Sequence, residues 1–202
     1  VSCADDLLGR VLAALEHTGR LDDTLVVFTS DHGDNLGSHG LFNKDALIEE
    51  SIRIPLILRG PGAPAGRVNR RQVAQLIDVM PTVLSLYGLD VPAHVQGRDL
   101  APVLRGDCEE LPENFAFIET NRSVDGMKAA GVRTPTHLWG IGVQERGPAA
   151  ERPLMFHDLR DDPWEQRDLA GTGRQAQLQE ELCERLRRWN ADTPWHTDAS
   201  GS

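Results

Sequence analysis

Apolar residues recur along this chain with two periods, and the alternation between them lays out the elements. Between residues 4 and 17, Leu7, Leu8, Val11, Leu12 and Leu15 fall at helical spacing, which predicts an amphipathic helix. Asp5 and Asp6 stand in its first turn, where the helix dipole favours carboxylates, so this acidic pair reads as a charged helix start and not as a metal site. Thr18-Gly19 ends it, glycine suiting the left-handed position after a helix. Leu25-Val26-Val27-Phe28 is apolar, β-branched and too short for a helix, which predicts a buried strand of the parallel-sheet kind. A helix followed by a strand is an α/β half-unit.

Residues 45–51 read as a short helix and residues 53–59 as a second strand, with Pro55 at an edge or entry position. The loop at 60–66 is rich in Gly and Pro but lacks the Lys-Ser/Thr of a phosphate-binding loop, so it reads as structural. A helix is predicted up to Tyr87 with Asp78 as its N-cap, Pro81 in the first turn and Gly88 closing it. Residues 89–114 are loop-rich, with a short helix near 99–104. The pattern then changes. Residues 115–120, 127–133, 136–144 and 154–159 read as strands, and residues 175–189 as a helix with Leu178, Leu182, Leu186 and Trp189 on one face. That order predicts a small antiparallel sheet with a helix packed on it. Residues 193–202 read as a polar tail. The expectation is an α/β protein in two parts, residues 1–110 and residues 111–202.

A length of 202 residues allows one sizeable core with an appended subdomain. The formal net charge of -10 disfavours nucleic acid or an anionic membrane as partner, and no apolar run is long enough to cross a bilayer. Cys3, Cys108 and Cys183 form no C-x-x-C, so neither a disulfide framework nor a zinc–thiolate site is expected; a reducing, cytoplasmic setting fits. The chain starts at Val1 without an initiator Met, so a preceding N-terminal part is expected. Lysine occurs only at Lys44 and Lys128, every other basic residue of the Lys/Arg kind being arginine. A compact ammonium at Lys44 suits a tight anion site better than a guanidinium.

Candidate chemistry gathers in the loop after the first strand. Asp31 and His32 would point to opposite faces while the chain stays extended. Gly33 lets the backbone leave strand geometry, so both side chains could meet at the end of the sheet, where ligands bind in α/β folds. A carboxylate suits Ca2+, Mg2+ or Mn2+, and an imidazole fits Mn2+ or Zn2+ more comfortably. A metal with Lys44 beside it suits a tetrahedral oxyanion, phosphate or sulfate. His39 has two readings, a substrate-binding or proton-donating group, or a loop histidine bonded to backbone. Asp34 reads as a turn residue or as a support behind the ligands, and not as a ligand itself.

The run Thr29-Ser-Asp-His-Gly-Asp-Asn-Leu-Gly-Ser-His-Gly-Leu-Phe-Asn-Lys44 resembles the C-terminal metal-binding motif of the sulfatase family, in the alkaline phosphatase superfamily. Other segments agree in order: Cys3 to Arg10, Glu50 to Gly62, Asp78 to Gly88, and His157 to Leu169, which is similar to the family's late "Tyr-Asp-Leu…Asp-Pro…Glu…Asn-Leu" turn. The resemblance implies the C-terminal portion of an alkaline-phosphatase-like sandwich. It implies Asp31 and His32 as ligands of a divalent metal, usually Ca2+, with Mn2+ or Mg2+ as alternatives, and Lys44 in contact with the sulfate and the leaving oxygen. The implied substrate is a small-molecule or carbohydrate sulfate ester, as for an arylsulfatase.

The family's nucleophile is a formylglycine made from Cys or Ser in a Cys/Ser-x-Pro/Ala-x-Arg motif near the N-terminus, beside another pair of metal-binding Asp residues. Neither occurs here, and Cys3 is followed by Ala-Asp-Asp. The expectation is therefore a C-terminal part that is inactive without the missing N-terminal part of the same protein. Many arylsulfatases carry Asn where this chain has His32, and His is also seen in phosphonate and phosphodiester hydrolases of the family, so those esters stand as an alternative. A non-catalytic anion-binding or interaction domain is the other.

Overall fold

The computed structural model describes residues 2–120, 128–143 and 151–193. The expected tail beyond 193 and the strand-end residues 127 and 144 lie outside the described residues. The chain forms two compact units, the first Val1–Asp31 with Pro55–Pro112, the second His32–Ile54 with Glu113–Ser202.

In the first unit, helix α1 spans Ser2–His17. Its predicted apolar stripe is present, but none of its residues is buried, and Leu7 and Val11 are exposed. Strands β1 (Val26–Thr29) and β2 (Leu56–Arg59) pair with each other antiparallel, Val26 opposite Arg59 and Thr29 opposite Leu56. The sequence reading expected a parallel strand. A parallel neighbour needs a long crossover, usually a helix that runs back along the sheet. The only α-helix between the two strands is α2 (Glu49–Ile52), a single turn.

Helix α3 spans Val79–Leu86 and α4 spans Ala101–Arg105. Asp78 does not cap α3 through its side chain. A 3₁₀ turn at Leu76–Asp78 leads straight into the helix, so Asp78 already has helical backbone angles. Its carboxylate accepts instead from the Gln75 amide at 2.9 Å, the Arg98 amide at 2.8 Å and the Arg98 Nη2 at 2.6 Å. Asp78 is fully buried. Thr82 adds a second tie, donating to the Asp78 carbonyl at 2.6 Å and accepting from the Leu100 amide at 2.9 Å. Loop residues 98–100 are thus fastened to α3 by polar groups shielded from water.

In the second unit, β3 (Ala116–Thr120), β4 (Lys128–Arg133), β5 (His137–Val143) and β6 (Glu151–Asp158) form an antiparallel sheet in chain order. Pro153 lies on β6, at the edge of the sheet, where a missing amide donor costs least. Alternation sorts the side chains. Ala130, Val132, Trp139, Ile141 and Phe156 face helix α5 (Ala176–Asp192), which contributes Leu182, Cys183 and Leu186 to the core. The opposite face carries Gly131 and Gly140, cross-strand partners on β4 and β5. Leu47 sits over both: a Cβ on Gly140 would lie 2.8 Å from its Cδ1, and one on Gly131 would lie 3.2 Å away. Arg133 holds the same segment, donating to Glu49 from Nε at 2.7 Å and from Nη2 at 3.2 Å.

The turn after β6 is built on carboxylates. Asp158 accepts from the Arg160 Nη2 at 3.0 Å and from Gln175 at 3.0 Å, with His137 Nε2 at 3.3 Å. Asp168 accepts from the Phe156 and Ala170 amides. The Arg160 side-chain hydrogen bonds, helped by Gln175, the Arg160 amide and His137, outweigh burial and hold the Asp158 carboxyl well below the usual carboxylate range.

Two outcomes follow. Asp78→Ala leaves Arg98 without its buried partner and should cost about 3–5 kcal/mol, read as a lower urea midpoint. For Asp158, the folded-state pKa lies below the unfolded one. Its stabilisation is therefore complete above the ordinary carboxylate pKa and lost as pH falls through the depressed value. Thermal melts below about pH 4 should show the parent losing stability more steeply than Asp158→Asn.

Candidate active-site loop

The loop that leaves β1 carries every residue singled out for chemistry. Asp31 closes the first unit and is exposed. His32 opens the second and is half-buried. Its Nδ1 lies 2.7 Å from the Gly33 carbonyl oxygen. A carbonyl only accepts, so Nδ1 carries the proton and Nε2 is the basic nitrogen of the neutral ring. A backbone carbonyl on one ring nitrogen is the usual way to fix a histidine tautomer for metal binding through the other. A carboxylate and an imidazole are both donor types that divalent metals accept.

Gly33 is required for a different reason from the one the sequence suggested. A Cβ there would lie 1.9 Å from the Glu50 carbonyl oxygen, and the Gly33 amide donates to the Ser51 carbonyl at 2.8 Å. Close approach of two backbones, and not conformational freedom, excludes a side chain.

Beyond Gly33 the loop is tightly wound. Leu36, His39, Asn43 and Asp45 have φ of 46°, 53°, 63° and 77°, in the left-handed region. The Asp34 carboxylate accepts from the Leu36 amide at 2.9 Å, a turn role. Asn35 donates its amide to the Asn43 carbonyl at 2.7 Å, closing the loop at its base, and its side-chain amide is buried with both polar atoms unpartnered. Lys44 follows directly, exposed and without an ion pair among the described residues.

His39 stands beside two carboxylates. Its Nε2 lies 4.0 Å from the Glu50 Oε2, and His39, Glu50 and Glu165 each offer a ligand atom within 4.8 Å of the others. Glu165 is buried, with φ of 53°. Its Oε2 accepts from the Glu49 amide at 2.8 Å, and its Oε1 has no partner. Burial pushes the Glu165 carboxyl up to about 7; the Glu49 amide opposes this, and the Glu49 and Glu50 charges add to it. Nearby His157 is also buried, and burial lowers its pKa, with Asp168 opposing and His39 contributing. Sequence reasoning missed Glu50, Glu165 and Asn35. Both glutamates lie inside recognisable segments, but no local pattern marks a contact between stretches so far apart.

Strand β1 thus leads into a loop that carries an acid, an imidazole and a lysine in sequence, and comparison with known proteins puts the chain in the alkaline phosphatase superfamily. Residues 1–89 match the sulfatase family model. The chain is 36% identical, over 92% of its length and 38% of the relative's, to a multifunctional alkaline phosphatase superfamily protein of Trinickia caryophylli. It is 31% identical to an N-acetylglucosamine-6-O-sulfatase of Bacteroides thetaiotaomicron, over 92% of this chain and 33% of that one. A phosphonate monoester hydrolase from Silicibacter pomeroyi has the same fold, with a TM-score of 0.73 and 30% identity over 96% of this chain and 40% of that one. The chain belongs to the sulfatase family. It spans 33–38% of the length of these curated relatives.

Gly33→Ala should displace the loop from the Glu50–Ser51 backbone. Hydrogen exchange at the Gly33 amide and its neighbours should speed up by at least about tenfold, the kinetic equivalent of about 1.4 kcal/mol of lost protection.

Proposed function

We propose that this chain supplies one side of the active site of a metal-dependent sulfatase that hydrolyses a sulfate ester. The observation that carries the reading is the His32 Nδ1–Gly33 carbonyl bond, which makes Nε2 the basic nitrogen of the residue that follows Asp31 in a sulfatase-family sequence. Asp31 and His32 would hold a divalent ion, Ca2+ by family resemblance with Mn2+ or Mg2+ as alternatives. Such an ion supplies Lewis acidity toward the ester oxygens. The exposed Lys44 ammonium would pair with the sulfate and offset the charge that develops on the leaving oxygen. His39 is turned to carboxylates, so the proton-donor role is not assigned to it.

No Cys/Ser-x-Pro/Ala-x-Arg motif occurs in these 202 residues. In this reading the formylglycine nucleophile comes from another part of the protein, and the chain alone turns over nothing. The sugar-sulfatase relative supports a carbohydrate sulfate ester as substrate. A phosphonate or phosphodiester substrate is the second reading, favoured by His32 and by the phosphonate monoester hydrolase with the same fold.

The full-length protein should hydrolyse an aryl sulfate faster than an aryl phosphonate monoester, and a higher kcat/KM on the phosphonate would select the second reading. Lys44→Ala should lower kcat on the preferred ester by about 10²–10³-fold, and Asp31→Ala should abolish metal-dependent turnover. Full activity in Asp31→Ala would overturn the ligand assignment.

A further inference from the structure

His39, Glu50 and Glu165 face one another without bonding. The His39–Glu50 separation of 4.0 Å is too long for a hydrogen bond, yet it is close to the span of two ligands on one ion. Glu165, only 4% exposed, spends Oε2 on the Glu49 amide and leaves Oε1 buried with nothing to accept from. A native carboxylate oxygen rarely stays orphaned unless a water or an ion fills the gap. The neighbouring Glu49 carboxylate is already taken by Arg133, so it does not compete for a cation. The only basic group paired with Glu50 among the described residues is the His39 ring.

We propose that His39 Nε2, Glu50 and the free oxygen of Glu165 form a divalent-cation site, with Zn2+ as the ion that fits best. The ligand set is one imidazole nitrogen and two carboxylates, with room for a water as fourth ligand, a set that zinc accepts. Calcium and magnesium prefer all-oxygen shells with more ligands. In a tetrahedron of about 2.05 Å bonds, ligand atoms stand about 3.4 Å apart, so the side chains need to close by little more than an ångström from the present limit of 4.8 Å. The His39 side chain is 21% exposed and that of Glu50 27%, which leaves an approach from solvent, while Glu165 forms the buried wall. The ion would join the loop at residue 39, the turn of α2 and the turn after β6, all within the second unit. Nothing in this assignment depends on Asp31, Lys44 or the sulfatase reading.

The test uses the purified 202-residue chain with Zn2+ as probe, titrated against a chromophoric chelator, and with Co2+ for its visible absorption. The background is Asp31→Ala/His32→Ala, so failure of the other ligand assignment cannot be mistaken for failure of this one. That background should still bind one Zn2+. His39→Ala and Glu165→Gln should each weaken this binding by more than about 10-fold and remove the Co2+ bands, while the Gln side chain still accepts from the Glu49 amide. If Glu165→Gln proves unfolded by circular dichroism, His39→Ala, at an exposed loop position, decides alone. Zn2+ affinity unchanged in His39→Ala overturns the proposal, and so does no uptake in the Asp31→Ala/His32→Ala background, the result expected if a bridging water fills the gap.

Discussion

The seating of Leu47 on two glycines governs the second unit. Gly131 and Gly140 are cross-strand partners, and their missing side chains open a socket in the sheet face opposite α5. Leu47 fills it and is 2% exposed. Burying a leucine contributes about 1.5–3 kcal/mol, but position matters more than magnitude. The contact brings residues 45–52 flat onto the sheet, and Glu49 then meets Arg133 on one side and Glu165 on the other. The loop from His32 to Lys44 inherits its placement from that contact, because Gly33 rests on the backbone of residues 50 and 51.

Three buried carboxylates show how an acidic chain handles charge that it cannot leave in water. Asp78 has an arginine and two amides as partners. Asp158 has an arginine, a glutamine and a histidine, and stays ionised far into acid. Glu165 has one amide and two acidic neighbours, and its carboxyl is pushed up to about 7. The first two are closed arrangements with their lone pairs spent. The third is open, which is why it reads as a place for a cation and the others do not.

Local pattern carried most of the fold. The stripe at Leu178, Leu182 and Leu186 places α5, and the short β-rich runs of the second half place the sheet. Strand direction was not legible, because the apolar run at 25–28 has the same composition in either sense and only the one-turn connection decides. Asp78 was read as a cap because a carboxylate before a helix usually is one; its real partner, Arg98, lies 20 residues away. Asp31, His32 and Lys44 were visible as candidates since they share one loop. The environment of His39 was not, since it is made by side chains from α2 and from the turn after β6.

The bond between the Glu49 amide and Glu165 joins residues 116 positions apart. A chain leaving the ribosome exposes Glu49 long before Glu165 exists, so until then the loop above it has no floor. Long-range pairings of this kind are slow to form and leave apolar segments open meanwhile. Leu47 must therefore wait, uncovered, until the strands that carry Gly131 and Gly140 have emerged. The candidate loop is thus made before the sheet that carries it.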